Sequence, residues 1–196
     1  ATAAAAAPAA TDRAQAESQK LNAIFDEYFE EYLQQNPILA TSIGDPRYND
    51  RFVVGISPAA MAAEEKLHRE YLARLQAVDR AALPVADQLS YDIFKTGRER
   101  EIEGFKFPDE LIPLNQFYST PNSFAQLGSG NGMQPFKTVQ DYDNFLKRLD
   151  GFAAWTDQAI VNMKQGVQRG YTLPKVLAER TVPQLEAHIV ASPEDS

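Results

Sequence analysis

The chain has no cysteine among its 196 residues, which excludes disulfides, thiol nucleophiles, cysteine-ligated zinc and iron–sulfur clusters within it. Histidine is nearly absent: His68 and His188 are the two present. Neither has a second histidine one helical turn away, so they form no His-Glu-x-x-His zinc helix. Cationic charge is also scarce. Lys and Arg number 19 against 27 Asp and Glu, a formal net charge of −8. No local basic stripe offsets that balance, so nucleic acid and anionic lipid are poor partners. No apolar run approaches the roughly 18 residues that a membrane-spanning helix needs. Sustained period-two alternation is missing too, which leaves strands without a signature.

What is present is helical periodicity. From Gln15 to Gln35, Leu21, Ile24, Phe25, Tyr28, Phe29, Tyr32 and Leu33 recur at three and four, with Asp26, Glu27, Glu30 and Glu31 opposite. That pattern predicts an amphipathic helix that buries against protein. "NPILATSIG" reads as a short helix with Asn36 as N-cap, Pro37 in the first turn and Gly44 as C-cap. Ser57-Pro58 opens a helix whose stripe is Met61, Leu67, Tyr71, Leu75 and Val78. A further helix is expected from about Pro84 to Glu103 through Leu89, Ile93, Phe94 and Ile102. Thr138 and Asp141 frame the start of another, with Asp where a capping box prefers Glu. It continues through Tyr142, Phe145, Leu146, Leu149, Phe152, Trp155, Ile160 and Met163, bends at Gly151 and closes at Gly170. A last helix from about Pro174 carries Pro183 inside it, where a kink is expected.

The fold class is therefore all-α: a multi-helix, bundle-like array with a long ordered loop insert over about residues 105–137. Such an insert usually supplies a binding wall or a lid. Residues 1–14 read as a flexible Ala-rich arm, 15–191 as the helical domain and 192–196 as a polar end. The small-residue start resembles the mature end of an exported protein, periplasmic or lipid-anchored.

Complete catalytic sets are not found. "IGDPRYNDRF", Ile43 to Phe52, sets Asp45 and Asp50 against Arg47 and Arg51 around a Gly and a Pro. It reads first as a self-paired network that fixes the turn, with a turn that offers Arg47 or Arg51 as a bidentate clamp for a substrate carboxylate as the second reading and plain surface as the third. "GSGNG", Gly128 to Gly132, lacks the Gly-Lys-Ser/Thr ending of a phosphate cradle and reads as a turn. Ser119 and Ser123 lack a neighbouring base or a nucleophile elbow. The acids Asp87, Asp92, Glu99 and Glu103 fit hydrated or arginine-paired helix faces. Both histidines fit packing or surface roles. No residue is assigned a catalytic or metal-ligating role.

Four segments in order, "NPILATSIGDPRYNDRF", "ELIPLNQFYS", "PFKTVQDYDNFLKRL" and "MKQGVQRGYTLPKVLAERTVPQLEAH", resemble the N-terminal half of the bacterial family known as domain of unknown function 885. The resemblance runs from about Phe25 to His188. It implies a largely helical, exported or lipid-anchored protein, longer than this chain. It also implies a downstream half with a His-Glu-x-x-x-Gly-His-type stretch like that of zinc peptidases. That stretch is not among these residues, so the resemblance carries over no catalytic residue and no cofactor. It implies that zinc, and the groups that activate water, belong to the other half. This region would then be non-catalytic, forming one wall of a peptide-substrate cleft beside its own C-terminal half, with Arg47, Tyr48, Asn115 and Gln116 as lining candidates. The competing expectation is a self-sufficient helical binding module for a peptide, a glycan or a partner helix.

Overall fold

The structure, a computed structural model, describes residues 6–117 and 119–192, with side chains from Thr11 onward. Among the described residues there are seven α-helices, three short 3-10 turns and no strand. The helices are α1 (Ala6–Gln35), α2 (Pro37–Ser42), α3 (Pro58–Gln76), α4 (Val85–Gly104), α5 (Thr120–Gly128), α6 (Val139–Arg169) and α7 (Lys175–Glu186). The first five residues of the expected arm and residues 193–196 lie outside the described residues. From Ala6 onward the arm is helical and continuous with α1. Alanine is the best helix former, and a proline in the first turn, as Pro8 is, gives up an N–H that has no intrahelical partner.

Two compact units divide the chain. The first holds residues 1–35 and 61–107, the second residues 36–60 and 108–196. In the first unit, Leu21, Ile24 and Tyr28 of α1 meet Leu67, Tyr71 and Leu75 of α3 and Tyr91 of α4. Tyr71 is fully buried, and its hydroxyl donates to Glu31 at 2.8 Å. The Glu17 carboxylate accepts the Asp79 N–H at 2.8 Å, closing the turn that follows α3. His68 is buried in the same core beside Tyr28 and Phe105. The inward face of α4 is only in part the expected one. Phe94 packs against the core as expected, joined by Tyr91, whereas Leu89 and Ile93 are 61% and 65% exposed. Both sides of this helix carry apolar residues at helical spacing, so periodicity alone does not select the buried one.

The second unit packs Leu114, Trp155 and Ala159 against Phe52, Val54, Ile56, Phe152, Met163 and Leu185. Its long helix α6 begins with a complete capping box. Thr138 Oγ1 accepts the Asp141 N–H at 3.2 Å, and the Asp141 carboxylate accepts the Thr138 N–H at 2.9 Å. Aspartate therefore closes the box that usually takes glutamate. Gly170 ends α6 at φ +70°. Gly151 marks no break, since α6 runs through it. A Cβ there would stand 2.8 Å from the Phe52 Cβ and 2.8 Å from its carbonyl oxygen. This glycine permits close approach of Phe52 to α6. The insert at 105–137 is less irregular than its composition suggests. It holds a 3-10 turn at Asp109–Leu111 and all of α5, with Ser119 as N-cap and Pro121 in the first turn.

Candidate functional site: a buried arginine and the apolar recess beside it

The stretch after α2 is shaped by local chemistry. Gly44 adopts φ +86°, which ends the helix. Asp45 then caps a 3-10 turn, accepting the Arg47 N–H at 3.0 Å. Arg47 folds back on the same carboxylate with Nε at 2.9 Å and Nη2 at 2.6 Å. Those hydrogen bonds from Arg47 hold the Asp45 carboxyl below its ordinary value. The Arg47 and Arg51 guanidinium groups stand 5.3 and 5.0 Å from the centre of the Tyr48 ring. Tyr48 is itself buried. The Asp50 carboxylate takes Lys147 at 3.4 Å. The charges of this turn are largely engaged with one another.

Its backbone serves a different purpose. The carbonyls of Tyr48 and Arg51 point at the guanidinium of Arg148, which is completely buried on the inner face of α6 between Phe145 and Phe152. Arg148 Nε donates to the Arg51 carbonyl at 3.1 Å. Nη1 donates to Gln134 Oε1. Nη2 donates to the Thr41 hydroxyl at 2.6 Å, the Tyr48 carbonyl at 3.1 Å and the Pro37 carbonyl at 3.3 Å. Thr41 passes its own proton to Asn49 Oδ1 at 2.7 Å. Every hydrogen-bond acceptor here is neutral. Burial accordingly pulls the arginine down to about 10, with Asp50 pulling the other way, and the group stays cationic at neutral pH. A planar fork of donors is the side chain suited to tie so many acceptors at once. It joins α2, the 45–52 turn and the strap of residues 129–138 that carries Gln134 between α5 and α6 to α6 itself.

The segments so tied border an apolar recess of about 440 Å³. Its walls are Ile38, Phe52, Phe124, Leu127 and Met133, with Thr120, Ser123, Gln126 and Gly132 completing the lining. Phe124 stacks on Phe152 at 4.3 Å and meets Phe52 edge-on at 5.3 Å, which fixes the aromatic wall. The glycines of the "GSGNG" stretch shape the other side. Gly130 turns the chain at φ +77°, and a Cβ on Gly132 would come within 2.9 Å of the Gln126 carbonyl oxygen. Those residues seat the strap against α5, in agreement with the turn reading of this motif. Ser119 Oγ accepts the Asn122 N–H at 3.4 Å as the cap of α5.

The four cleft candidates stand in two places, and none lines the recess. Arg47 and Tyr48 belong to the turn around Arg148. Asn115 Oδ1 accepts the Phe117 N–H at 2.8 Å, and the Gln116 carbonyl accepts Gln184 Nε2 of α7 at 3.2 Å. Arg148 and the recess walls were not singled out by the sequence reading. A signal for Arg148 existed: a charged residue at 148 interrupts the inward apolar series 145, 152, 155 and 159 of α6. His188 Nε2 meets Asn122 Oδ1 at 2.6 Å, and His68 Nε2 lies 3.9 Å from Glu64. Among the described residues no three His, Cys, Asp or Glu side chains gather closely enough to hold a metal ion. Nor is any described helix long and apolar enough to cross a membrane.

No curated protein and no solved structure matches the chain. A family model does, over residues 37–196, which takes in α2 through α7, the buried Arg148 and the whole recess. The chain thus belongs to the family described as bacterial protein of unknown function, DUF885.

Proposed function

We propose that these residues are the non-catalytic, substrate-holding region of an exported, zinc-dependent peptidase, and that the recess takes an apolar side chain of the peptide. The observation that carries this reading is the recess itself. At about 440 Å³ it falls in the size range of sites for small ligands. Its lining is mostly apolar with a few hydroxyl and amide groups, the composition that accepts a Leu, Met or Phe side chain and leaves the peptide backbone at a polar rim. Arg148 keeps those walls in register without itself meeting the ligand. The described side chains do not fit a zinc site, so no step of hydrolysis is assigned to them. In this reading the metal and its water-activating glutamate belong to the remainder of the intact enzyme, which is also the principal partner of this region. Asn115 and Gln116 remain candidates for the cleft on the α7 side of the same unit.

The test is a titration with short blocked peptides that differ at one position, Phe or Leu against Asp, followed by amide chemical shifts. Shifts confined to Ile38, Phe52, Phe124, Leu127 and Met133 with the apolar peptides are expected. Ser123→Trp, which fills the recess from its rim, should abolish them. Equal response to the Asp peptide, or response away from the recess, would overturn the assignment. A self-sufficient binding module would use the same recess. In an intact family member, a filled recess that raises KM for peptide hydrolysis supports the peptidase reading, and unchanged hydrolysis supports the module.

A further inference from the structure

Helix α6 has two apolar faces, and the second unit uses one. The inner face carries Phe145, Arg148, Phe152, Trp155 and Ala159. The outer one carries Val139, Tyr142, Leu146, Leu149, Ile160 and Val167, all exposed, from 40% for Leu149 to 79% for Val139. Their spacing alternates three and four from Val139 through Leu149 to the exposed Ala153, the seam of a two-stranded helical pairing, and Ile160 and Val167 extend it at steps of seven past Thr156 and the core-packed Met163. A row of large apolar residues in water marks an interaction surface.

Charge says which helix fits. Beside the Val139–Ala153 seam and just beyond it, one flank is a row of aspartates one heptad apart, Asp143, Asp150 and Asp157, with Lys164 at the next position of the row. All three are exposed, and none has an ion-pair partner among the described residues. The opposite flank, Phe145, Phe152 and Ala159, is turned toward the unit's own core. A second copy is a poor occupant. Laid antiparallel with the Val139–Ala153 seams paired it would set aspartate against aspartate, and laid parallel it would offer those aspartates only the inward-turned apolar flank. We infer that the outer seam of α6 docks an amphipathic α-helix of a partner protein whose apolar seam is flanked by lysine or arginine. This inference is independent of the recess and its ligand.

The experiment uses two synthetic peptides of about four heptads, with Leu at both seam positions and either Lys or Glu at both flanks. Like charge on the flanks keeps each peptide from pairing with itself. Fluorescence anisotropy should show the Lys peptide binding more tightly than its Glu twin, by roughly 3- to 100-fold for three exposed ion pairs. D143K/D150K/D157K should reverse the preference. Leu146→Ser with Leu149→Ser, both at exposed positions, should weaken binding of the Lys peptide while the helical circular dichroism is unchanged. Three results would overturn the inference. One is no binding. Another is Lys-peptide binding that persists undiminished in the triple aspartate variant, which would mean attraction to the acidic chain as a whole. The third is a dimer in sedimentation that Leu146→Asp dissociates, which would give the seam to a second copy.

Discussion

Replacing Arg148 by methionine keeps the aliphatic stem of the side chain and removes its whole set of hydrogen-bond donors. The consequences differ among the five acceptors. The Tyr48 carbonyl keeps the Arg51 N–H at 3.0 Å, and the Pro37 carbonyl lies 3.1 Å from the Thr41 hydroxyl, whose one proton it shares with Asn49 Oδ1. Gln134 Oε1 loses its donor, in a side chain whose Nε2 is already buried without a partner. The Arg51 carbonyl loses Nε. Each buried acceptor stranded in this way costs about 1–3 kcal/mol. Removing a desolvated cation gives part of that back, because an apolar isostere has no charge to dehydrate. The net expectation is a loss of about 2–4 kcal/mol, a large share of the roughly 5–15 kcal/mol that holds a typical domain.

Urea denaturation followed by tryptophan fluorescence measures this directly, since Trp155 is the one tryptophan and sits in the core of the same unit. Arg148→Lys is the informative companion. It preserves the charge, but one ammonium group cannot replace donors aimed at Arg51, at Gln134 and at α2 together. Both variants should therefore unfold at lower urea by similar amounts. A shift worth under about 1 kcal/mol for Arg148→Met, or full recovery in Arg148→Lys, would refute the argument that fork geometry ties these segments. Arg47→Ala, which removes the pair with Asp45 and the contact with the Tyr48 ring but leaves the Arg148 bonds in place, should shift the transition by less than Arg148→Met does.

Gly151→Ala should destabilise by about 1–3 kcal/mol in thermal melts, although alanine is the better helix former, because the new methyl group meets Phe52 at 2.8 Å. Acid should weaken the fold through Asp45 and Asp92, whose carboxyls are held low by Arg47 and Arg80. Their stabilisation is complete above the unfolded carboxyl value of about 4 and disappears as pH falls through the lower folded values. Urea midpoints measured from pH 6 downward should show that loss, and Asp92→Asn should remove its share. At the alkaline end Tyr71 is pushed up to about 12 by burial and by its hydrogen bond to Glu31, and burial raises Tyr28 as well. A spectrophotometric titration should show these two tyrosines ionising last. The stability tied to them is intact below about pH 10 and is lost as pH climbs through the folded values.

Much of the fold could be read locally because helix ends are local chemistry. Ser57 capping α3 at 3.2 Å, the Thr138–Asp141 box and Gly170 at φ +70° all involve residues within one turn of one another. Helix α5 escaped notice because the Pro and Gly density around it reads as loop, although Ser119-Thr120-Pro121 is itself a start signal. The site was harder for a different reason. Arg148 finds its acceptors 97 to 111 residues earlier in the chain, apart from Gln134. No window-based pattern spans that distance. The residues that drew attention as candidate chemistry, Arg47 and Asp45, pair with each other, while the carbonyls beside them, which no sequence motif displays, hold the buried cation.

Helix α6 shows why periodicity and burial part company. A helix with one apolar stripe has one solution, with the stripe turned inward. Over its 31 residues α6 carries two stripes, and a reading that counts Leu146, Leu149 and Ile160 with Phe145, Phe152 and Trp155 merges them into one. Three-dimensional packing separates them: Phe145, Arg148, Phe152 and Trp155 turn inward, and Tyr142, Leu146, Leu149 and Ile160 face water beside the aspartate row. Residue type marks part of the distinction, since the three inward Phe and Trp side chains stack while Tyr142 on the outer face does not join them. Bulky aromatics fill the space around Phe52 and Phe124 by stacking, whereas the Leu, Ile and Val series follows the three-four spacing that pairs helices. Two apolar series of different chemistry on one helix therefore imply two neighbours, and the second unit supplies one of them.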